Sequence, residues 1–447
     1  MNDLIFTAML CTSGLINLSS FDDALIDLLA FGIARSSLAA RRGISAEVSA
    51  EIPTTGVFVA NWHEEDVLAR MVEGNLARIA VPTVRLYLGV YPNDTGTRDV
   101  AMALTKKYPE RVRVIVNTLP GPTSKGQMLN EMFRQVYGAS ESPEMAVLHD
   151  SEDVIDPRTF EVYATYAADH DFIQVPVFSL NSTDRSMVAA TYMDEFAERH
   201  TREMIVRNAL GAMIPSAGVG TCLTRRLIEH FLRIRGTVLM TGCVTEDYIL
   251  GIEAKRAGFK AAFAAVSADD RQGLDYVATR EFFPKSLAAS IKQKTRWVYG
   301  INFEATRKLG WAGDAWDRYF FARDRKGVVT NFLPPLSLIF LTLLFFRVAD
   351  PSAASPEVQD LLSLSVSVNI GFLALRYLVR VQACHQVYGF WDPLGISLRW
   401  PVALYINMAA VWRAWKIYLG ESAFARRPIV WSKTAHEIPE DFMTAKR

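Results

Sequence analysis

Short apolar stretches alternate with amphipathic ones between residues 51 and 325. Four of the apolar stretches have the length and composition of buried strands, at 56–60, 84–91, 111–116 and 145–149. Helical patterns separate them, the first over about residues 64–79. Strands that alternate with helices form a largely parallel sheet, and such sheets bind ligands beyond the carboxyl ends of their strands. We therefore predict an α/β domain over 51–325 with a site at that edge.

Further along the chain the apolar residues lie in longer runs. Residues 328–346 carry no charge and are about long enough to cross a bilayer, and 361–375 form a second run. The segment 349–360 between them has no Lys or Arg, whereas basic residues precede the first run and follow the second. Arg347, which follows the first run on the side of this segment, is an exception, but the basic residues on the other side outnumber it. Because Lys and Arg stay on the cytoplasmic side, we predict a helical hairpin with its short loop outside, in a membrane-associated region over 326–447.

The two ends of the chain leave alternatives open. An anchor region over 1–50 includes an apolar stretch at 4–18, which fits either a short membrane span entering from outside or a helix lying in the membrane interface. The stretch 401–420 is apolar but contains two basic residues, so it fits an interfacial amphipathic helix better than a short span ending at Trp412. A polar tail follows it.

Composition narrows the class of protein. The 447 residues include 48 basic and 48 acidic ones, so the formal net charge is +0 and gives no indication of nucleic-acid binding. The mean hydropathy of +0.11 is high for a soluble enzyme. The four cysteines form no CxxC spacing and no zinc-ligand pattern with histidine, which is typical of free thiols in a reducing compartment.

Three carboxylates end the fourth predicted strand. Asp150, Glu152 and Asp153 would repel one another unless a cation neutralised them, and a hard divalent ion such as Mg²⁺ or Mn²⁺ prefers oxygen ligands. That ion would in turn hold a diphosphate. The alternative is a solvated turn that caps the following helix. Either Glu152 or Asp153 could be the second ligand, and the alternation of side chains on an extended segment slightly favours Glu152.

A second acidic motif, Thr245-Glu246-Asp247, opens a predicted helix. Thr245 fits an N-cap, and Asp247 lies in the first turn, where the helix dipole favours its ionised form. An ionised carboxylate in a cleft can remove the proton of an acceptor hydroxyl. A plain capping arrangement is the alternative for this motif taken alone.

A third motif precedes the membrane region. Gln293, Arg296 and Trp297 have helical i, i+3, i+4 spacing and share one face. The guanidinium of Arg296 suits a leaving diphosphate, and the indole of Trp297 suits a sugar or the floor of a pocket. An amphipathic helix packed on the domain would give the same pattern.

In this order the motifs resemble those of processive, cellulose-synthase-like family-two glycosyltransferases. NWHEE at 61–65 resembles the nucleotide-binding loop of that family, with Trp62 and Glu64 in its aromatic and acidic positions. SKGQMLN at 124–130 resembles the segment near the donor, and GVGT at 218–221 resembles the acceptor-end segment. HDSEDVIDP, YPND, FDDALIDLL and WSKTAHEIP are similar to the subgroup of bacteriophage-adsorption protein B glycosyltransferases.

The resemblance covers about residues 50–380 and implies a GT-A-like fold. It implies an inverting transfer from a nucleotide-sugar donor, with a UDP-sugar expected, Mg²⁺ or Mn²⁺ as cofactor and Asp247 as the catalytic base. The residues implied for binding are Trp62, Glu64, Asp94, Lys125 and Asp150 for the donor, and Gln293, Arg296, Trp297, Glu246, Gly220 and Thr221 for the diphosphate and acceptor.

The implied acceptor is a growing polysaccharide or a lipid-linked sugar, with membrane lipid and an outer-envelope export partner as further contacts and no nucleic acid. The implied location is the bacterial inner membrane, with the catalytic domain facing the cytoplasm. Two other classes stay open: a non-catalytic membrane receptor or assembly protein that retains the fold, and a nucleotidyl- or sugar-phosphate transferase of similar fold. The intact Asp150, Asp247 and Arg296 argue against the first, and the motif at 293–297 ahead of membrane helices argues against the second.

Overall fold

The computed structural model describes residues 2–41, 51–180, 186–267, 276–311, 313–350 and 354–423; the WSKTAHEIP segment of the predicted polar tail lies outside them. The strands are β1 (Thr55–Ala60), β2 (Val84–Val90), β3 (Val112–Val116), β4 (Met145–His149), β5 (Phe172–Gln174), β6 (Val177–Ser179), β7 (Thr221–Thr224), β8 (Ala261–Phe263) and β9 (Thr279–Glu281).

The helices of the amino-terminal half are α1 (Asn2–Arg41), α2 (Leu68–Arg78), α3 (Thr95–Lys107), α4 (Lys125–Tyr137), α5 (Thr159–Ala167), α6 (Met187–Glu198), α7 (Met204–Ala209) and α8 (Arg225–Arg235). Those that follow are α9 (Glu246–Arg256), α10 (Leu287–Val298), α11 (Ala305–Leu309), α12 (Ala315–Thr330), α13 (Leu333–Phe345), α14 (Pro356–Tyr388) and α15 (Pro393–Ala423). Two π-helical segments, π1 (Arg199–Glu203) and π2 (Tyr299–Glu304), interrupt the α-helical pattern.

Among the described residues, seven strands form one sheet in the order β3-β2-β1-β4-β7-β5-β8, and β6 pairs with β9. The β1–β2, β2–β3, β1–β4 and β5–β8 pairs are parallel, whereas β7 is antiparallel to both of its neighbours. The predicted α/β class and the four predicted strands are confirmed. Because β7 runs the other way, its amino end lies at the same edge of the sheet as the carboxyl ends of β1, β2 and β4.

Helices cover both faces of this sheet. α2, α3 and α5 pack on one face through a cluster that includes Leu68, Leu104 and Phe160. α4, α8 and α9 pack on the other face through a cluster that includes Phe133 and Leu250. The central strands β1 and β4 are buried on both faces, as expected for runs of apolar residues in a parallel sheet. Ligands can therefore reach the sheet only at its edges, where the loops project.

Two long helices carry π-helical turns. α6, π1 and α7 run without a break from 187 to 209, and α10, π2 and α11 run from 287 to 309. Ser186 and Ser286 cap these helices, each accepting a backbone N–H from three residues further on (3.3 Å). π-helical turns are rare and occur frequently at functional sites. π2 begins directly after α10, the helix that carries Trp297.

In the described part of the chain, four helices are long and apolar enough to cross a membrane, judged by length and composition: Leu4–Ala34, Ala315–Phe345, Pro356–Tyr388 and Pro393–Gly420. The second and third contain the two predicted runs. The helix is interrupted just before Pro334 and Pro335, since α12 ends at Thr330 and α13 begins at Leu333.

α1 and α14 pack side by side and run in the same direction. The hydroxyl oxygens of Ser13 and Ser365 lie 2.7 Å apart, and further along Arg376 lies 3.8 Å from Asp27. Of the two alternatives for the N-terminal stretch, its packing along another candidate span and its length favour the membrane span.

The last apolar stretch belongs to a longer helix. The predicted stretch 401–420 is part of α15, which begins at Pro393 and is, by length and composition, long enough to cross a membrane. One side of α15 packs on the domain, where Ile406 contacts Val188 of α6 and Ile291 of α10. α15 therefore packs against both of the π-containing helices.

Candidate active site

A cavity of about 360 Å³ lies at the carboxyl edge of the sheet. The loops after β1 and β4, the amino ends of α4 and α9, the segment before β7 and one side of α10 form its wall. Nine predicted site residues line it: Glu64, Lys125, Asp150, Glu152, Glu246, Asp247, Gln293, Arg296 and Trp297. The other five, all of them described, do not line it: Trp62, Asp94, Asp153, Gly220 and Thr221.

The turn after β4 points its three carboxylates in different directions. Asp150 and Glu152 line the cavity. Asp153 is fully buried, with its Oδ2 2.7 Å from Nδ1 of His149 and 2.9 Å from the backbone N–H of Asp150. Burial raises the pKa of Asp153, and the bond from His149 opposes this shift. Asp153 therefore braces the turn from behind, while Asp150 and Glu152 face the open space.

Lys125 joins three segments of the cavity wall. Its ammonium lies 2.5 Å from Oδ1 of Asp150 and donates a hydrogen bond to the carbonyl of Gly218 (3.0 Å). Lys125 is the first residue of α4, which Ser124 caps. Burial disfavours the charged form, but the carboxylates of Asp150 and Asp247 outweigh it and raise the pKa of Lys125. The ammonium therefore stays charged and can neutralise a phosphate beside Asp150.

Two neighbouring carboxylates at the start of α9 face different ways. Oε1 of Glu246 accepts the backbone N–H of Gly126 (2.6 Å), so Glu246 ties the amino end of α9 to that of α4. Oδ1 of Asp247 accepts the N–H of Tyr248 (2.8 Å). Its Oδ2 faces Gly218, where an added Cβ would lie 2.5 Å away. Only a glycine at 218 leaves room for the loop to pass this close to Asp247.

Burial raises the pKa of both carboxylates. The pKa of Glu246 is about 7, and the charge of Asp247 adds to the effect of burial. The pKa of Asp247 is raised above its ordinary value by burial, although the ammonium of Lys125 opposes the shift. A raised pKa makes the ionised carboxylate a better proton acceptor. Thr245 lies at the N-cap position as predicted, but forms no side-chain cap bond to the described residues.

The third motif lies on α10 with its shared face toward the cavity. Gln293, Arg296 and Trp297 all line it. Trp297 packs edge-on against Tyr192 of α6, with ring centroids 6.1 Å apart and planes at 85°. The indole is thus held by the domain core on one side and can offer the other side to a sugar.

A glycine in π2 sets the distance between α10 and α9. Gly300 lies against Thr245, and a Cβ added at Gly300 would be 2.5 Å from Oγ1 of Thr245. Because this contact needs no side chain, α10 can approach the start of α9. The approach brings Arg296 and Asp247 into the wall of one cavity.

Trp62 and Asp94 lie on the loops after β1 and β2. Asp94 caps α3 and accepts the backbone N–H of His63 (2.7 Å), while Trp62 packs edge-on against Tyr91 (centroids 5.1 Å apart). His63, Glu65 and Asp94 also bring one metal-ligand atom each to within 4.8 Å of one another, a grouping that the sequence motifs did not indicate. The two backbone bonds of Asp94 account for its position without an ion.

Gly220 directly precedes β7 and Thr221 begins it, and neither residue lines the cavity. Oγ1 of Thr221 donates to Oε1 of Gln174 (2.7 Å), and the carbonyl of Gly220 accepts from Nε2 of Gln174 (3.2 Å). The neighbouring Gly218 and Val219 line the cavity instead. The segment resembling the acceptor end therefore contributes its first half to the site.

Sequence motifs did not identify Glu281, which also lines the cavity. It is the last residue of β9, a strand of only three residues. Burial, together with the charges of Asp153, Glu152 and Asp150, raises the pKa of Glu281 well above its ordinary value. Glu281 is thus a further acidic group on the wall that carries Asp150 and Glu152. A three-residue strand is too short to give a hydrophobic pattern that would have located it.

The fold is of the GT-A type found in glycosyltransferases, and the cavity lies at the carboxyl edge of its sheet. A family model described as "Glycosyltransferase like family 2" matches residues 53–300, more than half of the chain. The chain therefore belongs to glycosyltransferase-like family 2, and the family expected from its motifs is confirmed.

Relatives and solved structures agree with this assignment. Bacteriophage adsorption protein B of Escherichia coli (strain K12) is 30% identical over 410 residues, which cover 86% of this chain and 54% of that protein. Bacteriophage N4 adsorption protein B of Escherichia coli O157:H7 matches to the same extent. The chain spans about half the length of these curated relatives.

The structure of a mannosyltransferase from Pyrobaculum calidifontis, in complex with GDP-Man and Mn²⁺, superposes with a TM-score of 0.53. Its sequence is 14% identical, and the match covers 90% of this chain and 99% of that one. At this identity the likeness shows the fold alone. It confirms the GT-A-like arrangement that the resemblance implied.

Proposed function

We propose that the chain is an inverting glycosyltransferase that moves a sugar from a nucleotide-sugar donor to a growing polysaccharide or a lipid-linked acceptor. One observation carries the proposal: Asp247, the Lys125–Asp150 pair and Arg296 share one cavity at the carboxyl edge of the sheet. This set combines a proton acceptor with groups that stabilise a leaving diphosphate.

The donor enters with its nucleobase toward the loops that carry Trp62 and Asp94. A UDP-sugar is the expected donor. The diphosphate then lies beside Lys125 and Arg296, whose charges favour it. Glu64, on the loop after β1, lines the cavity and is suited to contact the donor.

Mg²⁺ or Mn²⁺ fits beside Asp150 and Glu152, because these side chains present hard oxygen donors to the cavity. When bound, the ion supplies positive charge for the donor diphosphate. Asp153 is less suited as a ligand, since its Oδ2 is held by His149 and by the backbone of Asp150. We therefore assign the second ligand to Glu152.

Asp247 takes the proton of the acceptor hydroxyl. The acceptor oxygen forms a bond to the anomeric carbon while the bond from that carbon to the β-phosphate oxygen breaks, and the nucleoside diphosphate leaves with that electron pair. A single displacement inverts the configuration and requires no protein nucleophile. Lys125 and Arg296 stabilise the charge on the departing phosphate, and Trp297 supports the sugar.

The unit at 51–325 carries this chemistry, and the regions 1–50 and 326–447 attach it to the bacterial inner membrane. The basic residues of α12 and α14 that lie toward the domain support a cytoplasmic location for the catalytic unit. A membrane-embedded lipid-linked acceptor or a polysaccharide passed to an export partner would both be within reach of such an enzyme.

Membranes that contain the chain, incubated with a panel of nucleotide sugars and Mn²⁺, test this function directly. We expect one donor to be turned over and its sugar to appear in a product of inverted anomeric configuration. Retention of configuration, or equal turnover in membranes that carry Asp247→Asn, would refute the proposal.

A second candidate is a membrane receptor or assembly protein that retains the fold. The names of the relatives, which refer to bacteriophage adsorption, favour it. Phage binding by cells that express either wild type or Asp247→Asn separates the two functions. Adsorption that survives in Asp247→Asn, together with no turnover of any nucleotide sugar by wild type, would establish the receptor in place of the enzyme.

A further inference from the structure

A second cavity, of about 260 Å³, lies where the membrane helices meet the catalytic domain. Helices α1, α6, α12, α14 and α15 and the segment π1 contribute its wall. Within the described ranges, five arginines line it: Arg199, Arg202, Arg323, Arg376 and Arg380. Four carboxylates also line it: Asp27, Glu195, Glu198 and Glu203. The wall of this cavity thus carries one more positive than negative charge.

Ion pairs account for four of the arginines. Arg376 and Arg380 both contact Glu198 (2.5 and 2.8 Å), and Arg323 lies 3.2 Å from Glu203. Arg199 lies 3.8 Å from Glu203 as well. These pairs link α14 and α12 to π1 and α6, so they hold the domain on the membrane helices.

Arg202 is the exception. Within the described ranges it forms no ion pair, and its guanidinium donates one hydrogen bond, to the carbonyl of Thr201 (3.0 Å). Burial lowers the pKa of Arg202 below its ordinary value, although the carboxylates of Asp27 and Glu198 oppose this shift. A desolvated guanidinium that no described carboxylate contacts directly is costly unless an anion contacts it. Arg202 lies in π1, the second of the rare π-helical turns in this fold.

The cavity lies at the depth where a lipid headgroup would be found. Towards the N-terminus of α1, the side chains that contact α14 include Phe6 and Met9, as expected for the hydrocarbon region. Towards the domain, the contact changes to the ion pair of Asp27 with Arg376. Basic pockets between membrane helices on the cytoplasmic side bind anionic headgroups, and arginine matches phosphate oxygens with two parallel N–H donors.

We propose that this cavity binds a phosphate group, with Arg202 as the residue that recognises it, and that the phosphate belongs to an anionic phospholipid. The site differs from the catalytic cavity because α6 stands between them. Tyr192 of α6 faces Trp297, whereas Glu195 and Glu198 line the charged cavity.

The test uses the full chain, purified in detergent and delipidated. Phosphatidylglycerol, phosphatidylcholine and inorganic phosphate are titrated separately into wild type, Arg202→Gln and Arg413→Gln. Bound lipid is counted by native mass spectrometry and affinity is followed through the melting temperature. Arg413 is the matched control, because it is an exposed arginine on α15 outside this cavity.

Wild type and Arg413→Gln are expected to retain phosphatidylglycerol in preference to phosphatidylcholine. Arg202→Gln should weaken the binding of phosphatidylglycerol by at least about tenfold, the loss expected for a charge-assisted hydrogen bond. If inorganic phosphate alone binds in an Arg202-dependent way, the site recognises phosphate but its source is the cytoplasm and not the lipid.

Equal affinity of wild type and Arg202→Gln for phosphatidylglycerol and for inorganic phosphate would overturn the proposal. Equal losses in Arg202→Gln and Arg413→Gln would overturn it too, since they would reflect only the net surface charge. If Arg202→Gln does not fold, wild type decides the matter. A wild-type chain that retains no anionic lipid and is not stabilised by phosphatidylglycerol or phosphate has no such site.

Discussion

Neighbouring carboxylates in this protein have different surroundings, and these surroundings determine what each can do. Asp153 is buried against His149, whereas Glu152, one residue earlier, lines the cavity. Glu246 bonds the backbone of α4, whereas Asp247 faces Gly218. A charged group is costly to bury without partners, so the carboxylates with bonds inside the domain serve the fold. Asp150, Glu152 and Asp247 line the cavity, where they can also serve chemistry.

Replacement of Asp247 by asparagine separates a base from a helix cap. Asparagine keeps the shape and caps a helix nearly as well as aspartate, so stability should change by about 1 kcal/mol or less. It cannot take a proton, and loss of a general base lowers the rate about a hundred- to ten-thousand-fold. Initial rates of sugar transfer, with the melting temperature and nucleoside-diphosphate binding as controls, measure this. More than about a tenth of the wild-type rate would exclude Asp247 as the base.

The assignment of the second metal ligand can be tested with a matched pair. Glu152→Gln removes a charged oxygen donor from the cavity, so the Mn²⁺ concentration that gives half-maximal activity should rise more than about tenfold. Asp153→Asn should raise that concentration less than Glu152→Gln does, because Asp153 only supports the turn that carries Asp150. It should lower the melting temperature, because it weakens the charge-assisted bonds to His149 and to the backbone of Asp150. The opposite pattern would move the ligand to Asp153.

The buried Glu246 makes stability depend on pH. Its pKa of about 7 is above the ordinary value of 4.5, so the folded state favours the protonated form. The stability that this proton contributes is fully present below pH 4.5 and is lost as the pH rises through about 7. Glu246→Gln keeps an oxygen for the N–H of Gly126 but cannot titrate. Its melting temperature should therefore fall less than that of wild type between these pH values, and parallel curves would refute this account.

At the scale of elements, the site depends on how closely α10 approaches α9. Gly300 in π2 is the point of contact, since a Cβ there would be 2.5 Å from the hydroxyl of Thr245. Both helices belong to the cavity wall, so a shift of either one changes the distance between Arg296 and Asp247. The packing of π2 thus controls the position of Arg296, which lies just before π2 on α10.

Gly300→Ala should therefore cost about 1–3 kcal/mol through overpacking and should also lower the rate of transfer. Gly371→Ala, on α14, is the matched control, because an added Cβ there meets nothing within 4 Å. Alanine is the better helix former, so this control should melt at or slightly above the wild-type temperature. The two melting temperatures and the two rates decide the matter. Equal behaviour of the variants would show that π2 does not set the spacing.

The elements that could be predicted are those with long patterns. The strands β1 to β4 are runs of five to seven residues, and each was expected where it lies. The strands β5, β6, β8 and β9 have only three residues each, too few to show a period. Glu281 could not be predicted as a site residue, because it ends the three-residue strand β9. The inward orientation of Asp153 could not be predicted either, because it depends on His149 at the end of β4.

At the scale of the molecule, charged side chains join the candidate membrane spans on the side of the catalytic domain. Asp22 and Asp23, midway along α1, contact Arg323 and Lys326 in the second half of α12. Nothing comparable joins the opposite ends among the described residues, where α1, α13 and α14 meet through apolar side chains. Ionisable groups avoid the hydrocarbon core, so the ion pairs and the catalytic domain belong to the same aqueous side.

The orientation that we propose from this charge distribution can be tested with single cysteines. Ser355 lies exposed at the start of α14, on the loop that the positive-inside rule places outside, and Ser140 is exposed on the catalytic domain. Because Cys11 is exposed on α1, both variants are made in a Cys11→Ser background. In right-side-out spheroplasts, Ser355→Cys should react with an impermeant maleimide, and Ser140→Cys should react only after lysis. Since both positions are exposed, lysis serves as the control for reactivity. Labelling of Ser140→Cys before lysis, with protection of Ser355→Cys, would place the catalytic domain outside, away from cytoplasmic nucleotide sugars.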